Sequence, residues 1–289
     1  MGYKAMRLSF ERDIRSLYHL WRWKLATTST LATKYFSDTA IENCYMRLWK
    51  LEKGGFVKSI CARNGQGFLW TLDLNGYEVV KSNLLETFRE HGYKSEYLGH
   101  DLLVSAIHQG EWLMRVPEHC EIFTEQELRR LEFYPEWVPK TNMHRPDGYW
   151  LLGNGSSQRI VALELELNSK SQDSYLSLGS KYELDIQCDE VIWVVGHNCN
   201  PKSIYQGLGR PASDDSNIHS FFLLRDFLDH GWQAKAVIGK SAGKSIREIL
   251  ATSAQHAANL DYMDVLLDLR KKPINPITRA PKIETVPFR

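Results

Sequence analysis

Residues Arg145 to Ser171 read RPDGYWLLGNGSSQRIVALELELNSKS, and the way this stretch divides decides what the second half of the chain can be. Two β-prone runs, DGYWLL and RIVALELEL, flank GNGSSQ, a turn of glycine and small polar residues. That is the pattern of an antiparallel hairpin. Asp147 opens the first run and Glu164 stands in the middle of the second, so antiparallel pairing brings the two carboxylates to neighbouring positions. Alternation along the second run then puts Glu164 and Glu166 on one face and Leu163, Leu165 and Leu167 on the other.

Beyond the hairpin, SQDSYLSLGSKYELDIQ has helical spacing and EVIWVVG reads as a buried strand, with further strands expected in HSFFLLRDFL and AKAVIG. A hairpin, a crossover helix and a buried strand form the expected core of a PD-(D/E)xK nuclease-like domain. In such a domain Asp147 and Glu164 hold Mg²⁺ or Mn²⁺ through oxygen ligands and leave positions open for water and phosphate. The ion then polarises the phosphoryl oxygen and lowers the pKa of the attacking water. A lysine two residues after the second acid would share its face and stabilise the developing charge. Glu166 occupies that position, and two carboxylates so close repel unless a cation or basic group lies between them. Lys170, just past the strand, and Lys181, on the following helix, are the residues placed to supply the missing cation. The rival expectation is that Glu164 and Glu166 line the solvent face of a half-exposed antiparallel strand.

The N-terminal third reads differently. FERDIRSLYHLWRWKL places Ile14, Leu17, Tyr18, Trp21 and Leu25 at helical spacing. TLATKYF gives a second helix. Ser37 and Asp38 offer N-cap side chains to a third, TAIENCYMRLWKLEKGG, which Gly54 and Gly55 end. Ala40, Cys44, Leu48 and Leu51 share one face of that helix, leaving Thr39, Asn43, Arg47 and Lys50 on a polar side as candidate DNA contacts. GFVKSICARNGQGFLWTLDLNG follows as a hairpin, in which Val57, Ile60 and Leu69 are expected to cover the helices and Lys58 and Arg63, near the tip, to reach phosphates. NGYEVVKSNLLETFREHG closes the unit as a helix. Three helices, a hairpin and a helix are the order of a winged helix-turn-helix domain.

Charge supports the division. Residues 1 to 94 hold 15 Lys and Arg against 9 Asp and Glu, a balance of +6, while the rest holds 21 against 26, or −5, so the formal net charge of +1 conceals a basic N-terminal part. A basic module fits a polyanion partner, and here double-stranded DNA is expected. No apolar run reaches the roughly 18 residues of a membrane span, and the N-terminus lacks a secretory core, so no membrane is expected and the location expected is cytoplasmic. Five cysteines without a C-x-x-C pair suggest neither a disulfide framework nor a zinc ribbon, and Cys188, His197 and Cys199 lack a fourth ligand. GKSAGKS, Gly239 to Ser245, has three residues between its glycines where a nucleotide-binding loop needs four. A capping loop, with no nucleotide, is the expectation.

Several of these motifs together resemble the replication-relaxation family of plasmid and mobile-element proteins: LDLNGYEVV at the end of the winged helix, the helix LGHDLLVSAI, the strand RPDGYWLL, and ALELELNSKS before a helix carrying KYELD. Their order over residues 10 to 196 carries the resemblance. It implies a DNA-binding winged helix joined to a PD-(D/E)xK-like domain, with a role in DNA replication, relaxation or mobilisation. The family's usual Glu-Leu-Asp stands here as Glu164-Leu165-Glu166, so the absent lysine accords with the family. The resemblance also implies a further metal ligand, an acid on the superfamily's upstream helix that corresponds here to Asp101, with His100 beside it. The fold class expected is α+β: a winged-helix domain over 1–93, a helical joint over 94–138, a nuclease-like domain over 139–270 and an irregular arm over 271–289. The function expected is DNA binding with a catalytically silent nuclease-like domain and, as partners, a second copy of the chain or replication and mobilisation proteins. The alternatives are a Mg-dependent endonuclease and a winged-helix transcriptional regulator whose C-terminal domain senses a ligand or dimerises.

Overall fold

The computed structural model describes residues 6–61, 68–84, 87–109, 120–139, 144–153, 158–184, 187–209 and 217–251. The chain is mixed α and β, with a three-stranded and a six-stranded sheet, and divides into two compact units: 1–105 with 124–135, and 106–123 with 136–289. The helical joint expected over 94–138 is thus shared between the two, and the expected C-terminal arm lies outside the described residues.

In the first unit a π-helical turn, Phe10–Ile14, leads into α1 (Arg15–Trp23), followed by β1 (Ala26–Thr27), α2 (Thr28–Tyr35) and α3 (Ile41–Lys53). Leu17, Leu20, Trp21 and Leu25 are fully buried, which accounts for most of the apolar spacing of the first helix. α2 starts where Thr27 accepts the amide of Thr30. α3 begins later than expected. Its cap residue is Ala40, without a side-chain hydrogen bond, and Thr39 Oγ1 donates back to the Phe36 carbonyl, so Ser37 and Asp38 do not cap it. Cys44, Leu48 and Leu51 form its buried face.

β2 (Val57–Cys61) and β3 (Phe68–Leu72) pair antiparallel, and β1 adds to the other side of β3. The inward side chains are Val57, Trp70 and Leu72. Ile60 and Leu69 are half-buried cross-strand partners on the opposite face, because residues of unlike parity within one strand cannot share a face. α4 (Leu74–Asn83) follows, its first amide bonded to Asp73. α5 (Leu98–Gln109), β4 (Cys120–Thr124) and α6 (Glu125–Arg130) come next along the chain, residues 106–123 among them belonging to the second unit; the Thr124 and Glu127 side chains and amides satisfy each other reciprocally at the start of α6.

In the second unit the sheet order is β4, β5 (Gly148–Leu152), β6 (Arg159–Glu166), β7 (Glu190–Val195), β8 (His219–Leu223) and β9 (Ile238–Gly239). β5 and β6 pair antiparallel, β6, β7 and β8 run parallel, and β9 is antiparallel. Parallel neighbours require a crossover, and α7 (Gln172–Leu184) supplies the one between β6 and β7. α8 (Pro201–Gly207) lies between β7 and β8; α9 (Leu224–His230) and α10 (Ile246–Ala251) follow. β5 and β7 are buried at every position and β6 from Val161 to Glu166. The sheet centre therefore lies within the protein on both faces.

Candidate functional site

The hairpin register sets the geometry of the acidic cluster. Gly148 pairs with Leu163, so the residue before it, Asp147, comes opposite Glu164, as antiparallel pairing requires. The Asp147 amide donates to the Leu163 carbonyl at 2.9 Å, and its carboxylate Oδ2 accepts the Leu165 amide at 2.7 Å. Gly148 makes this turn possible. Its φ is +145°, and an added Cβ would stand 2.6 Å from His108 Nε2 and 2.8 Å from the Phe123 carbonyl.

Glu164 and Glu166 share a face, but that face is not in solvent: the two residues are 6% and 5% exposed. The expectation of a half-exposed strand fails because β6 is an interior strand with a parallel neighbour, Glu164 standing beside Trp193. Buried carboxylates need donors. Glu164 Oε1 lies 2.5 Å from His144 Nε2 and also accepts the Tyr182 hydroxyl, which α7 brings over the sheet. Glu166 accepts Lys170 Nζ at 2.7 Å. Burial pushes the Glu166 carboxyl up; Lys170 opposes that shift, while the charges of Glu164 and Asp147 add to it. Burial lowers the Lys170 ammonium, but its bond to Glu166 and the surrounding acids prevail and raise it. Tyr182 is raised far above an ordinary phenol by burial and then by the charge of Glu164. Tyr149, whose position faces Ala162 and which is fully buried, carries a hydroxyl with no hydrogen-bond partner among the described residues.

Lys170 reaches Glu166 from just past the strand, whereas Lys181, half-buried on α7, makes no ion pair among the described residues. Asp101 has partners of its own. It lies in the first unit, 3.0 Å from Lys24 Nζ and 2.6 Å from Ser95 Oγ, and although burial opposes it, His100 and Lys24 hold its carboxyl below the ordinary range. Among the described residues no three His, Cys, Asp or Glu side chains converge as a metal group. With Glu164 bonded to His144 and Tyr182, and Asp147 to a backbone amide, the donor set as folded does not fit the expected Mg²⁺ or Mn²⁺ site. His144 and Tyr182 were not predicted as site residues; the signal available was their place beside RPD and within KYELD, motifs in which only the acids and lysines carry an expected role.

Asn43 and Lys50 are exposed on α3, and Thr39, which precedes the helix, is half-buried. Arg47 is a correction to the expected polar face. Its Nε and Nη2 grip buried Asp13 at 2.8 and 2.5 Å, and Nη2 also donates to the Arg7 carbonyl at 3.1 Å. The bond from Asp13 raises its pKa further. A side chain so engaged holds the first unit together. Lys58 is exposed but sits opposite Thr71, one residue from the end of the ladder remote from the tip, so it marks the base of the hairpin. Arg63 lies outside the described residues. The same helix also exposes Ile41, Met46 and Trp49, the last beneath Lys53 with Nζ 3.5 Å from the ring centroid.

The GKSAGKS segment uses its backbone internally. The Lys240 amide donates to His219, Gly243 to Ala236 and Lys244 to Ser241, while Lys240 Nζ donates to the Asp189 carbonyl. Ser245 and Glu248 then close a reciprocal cap on α10. Cys188, one of the three residues weighed for a metal, has a thiol pushed up to about 12, chiefly by burial and then by Asp189 and Glu164, which disfavours the thiolate a metal would bind. No family model, curated protein or solved structure matches the chain.

Proposed function

We propose that the chain is a DNA-binding protein whose first unit is a winged helix and whose second is a PD-(D/E)xK-like domain without hydrolytic activity, acting in DNA replication, relaxation or mobilisation. One observation carries the DNA-binding reading: α1, α2 and α3 precede a β-hairpin, with α4 after it, and α3 turns Asn43 and Lys50 outward while burying Cys44, Leu48 and Leu51. A helix so exposed can enter a major groove while lysines contact the backbone. The basic balance of the same region favours DNA over a protein partner. The association with replication or mobilisation rests on the motif resemblance alone.

Silence is supported by the occupation of the acids. Releasing Glu164 would leave a buried carboxylate without Tyr182 and His144, a cost a cation site must overcome. One feature favours the endonuclease reading instead: Lys170 reaches Glu166 and so lies near the place of the missing strand lysine. Incubating the full chain with supercoiled plasmid and Mg²⁺ or Mn²⁺ separates the two. The proposal expects retarded but intact plasmid; nicking that Asp147→Ala abolishes establishes the second reading, and unretarded plasmid at low salt contradicts DNA binding.

A further inference from the structure

Away from its buried Cys44, Leu48 and Leu51, α3 presents Asn43, Met46 and Lys50, which at i, i+3 and i+7 form one strip. All three are exposed, Met46 to 47%. Among the described residues the Asn43 carboxamide makes no hydrogen bond and Lys50 makes no ion pair. The neighbouring groups are engaged or point elsewhere. Arg47 grips Asp13, Glu52 accepts the Ser59 amide at 2.7 Å, and Trp49 lies beneath Lys53. Glu42, the other acid of the helix, stands about 100° round the axis from Asn43, and exposed Ile41 about 140° from Met46. The strip is therefore one apolar side chain between two polar ones, where a protein interface would centre on a largely apolar patch.

We propose that this strip reads an A·T base pair from the major groove, Asn43 pairing with the adenine edge and Met46 touching the thymine methyl, while Lys50 meets the backbone. Adenine presents an acceptor, N7, beside a donor, N6, and a carboxamide carries a donor beside an acceptor, so the two pair through both groups. On thymine the outermost group is a methyl, which an exposed thioether chain can cover. Guanine offers two acceptors and would leave the carboxamide oxygen facing one of them; cytosine has no methyl for Met46. This readout rests on the winged-helix reading of the first unit and gives it a sequence preference.

The test selects bound duplexes from a random pool with the full chain and then measures affinities on the recovered sequence. The parent is expected to enrich duplexes sharing a fixed A·T pair, and Asn43→Ala to lose the preference at that position. In the recovered duplex, 7-deazaadenine at the fixed position removes N7 and should weaken binding by the parent about tenfold, with no effect on Asn43→Ala. Uracil in place of the paired thymine removes the methyl and should weaken the parent about threefold, with no effect on Met46→Ala. Both side chains are exposed, so neither variant disturbs the helix. Enrichment without a fixed A·T pair, the same fixed pair selected by Asn43→Ala, or equal responses of parent and variants to the modified bases would overturn the readout and leave DNA binding standing. Recovery of no duplex at low salt would overturn both.

Discussion

The Glu166 carboxyl has its pKa raised by burial, a shift that Lys170 only partly offsets. Its contribution to stability is therefore fully present below the ordinary glutamate range and is lost as pH rises through the raised value. Glu166→Gln should make the protein more resistant to urea than the parent at neutral pH, with the advantage disappearing as pH falls below the unfolded carboxyl's range; a disadvantage at neutral pH would mean that the Lys170 pair outweighs burial. Arg47 behaves in the opposite sense. Its partner Asp13 has a side chain only 1% exposed, so Asp13→Ala leaves a partly buried guanidinium unpaired and should cost about 3 kcal/mol of unfolding free energy by denaturant titration. For the same reason Arg47→Ala is a poor probe of DNA contact: it strands a buried carboxylate and weakens binding by loosening the unit. Neither role is visible in sequence, because helical spacing placed Arg47 on a polar face without revealing that Asp13 lies opposite it.

At the scale of elements, spacing and alternation carried most of what could be read. The three helices, the hairpin of β2 and β3, the antiparallel β5 and β6, and the crossover by α7 all follow from periodicity and turn residues. What sequence did not reveal was which side of a strand meets water. Glu164 and Glu166 alternate with leucines as a half-exposed strand would, yet β7 pairs parallel with β6 and α7 brings Tyr182 over the acids, so both faces are buried. Partners distant in sequence cannot be inferred from a local pattern. His144 and Tyr182 are such partners, and they change what the acidic cluster can do. The turn at Gly148 was equally hidden, since its need for glycine comes from His108 and Phe123. Gly148→Ala should destabilise the second unit by at least about 2 kcal/mol, because positive φ and a backbone clash act together; a change below about 0.5 kcal/mol would show that the turn relaxes. Thr124→Ala removes the reciprocal cap of α6 and should cost about 1 kcal/mol in the same measurement.

For the whole molecule, charge is segregated along the chain, with a balance of +6 over residues 1–94 and −5 over the rest. Residues 1–94, with that positive balance, present α3 and the hairpin base; the second unit encloses an acidic cluster that its own tyrosine, histidine and lysine satisfy. Binding dominated by phosphate contacts must weaken as salt rises, and each lysine contact contributes about 0.9 to the slope. The central claim is that DNA is held by the outward face of α3 and the adjoining strand. Anisotropy of a labelled duplex, titrated with the full chain over a range of salt concentrations, tests it directly, comparing the parent with Lys50→Ala/Lys58→Ala. The account predicts saturable binding by the parent that weakens with salt, and in the variant a lower affinity with a salt slope reduced by about 2. Binding of equal strength and equal salt dependence in the two proteins, or no binding by the parent at low salt, would contradict it.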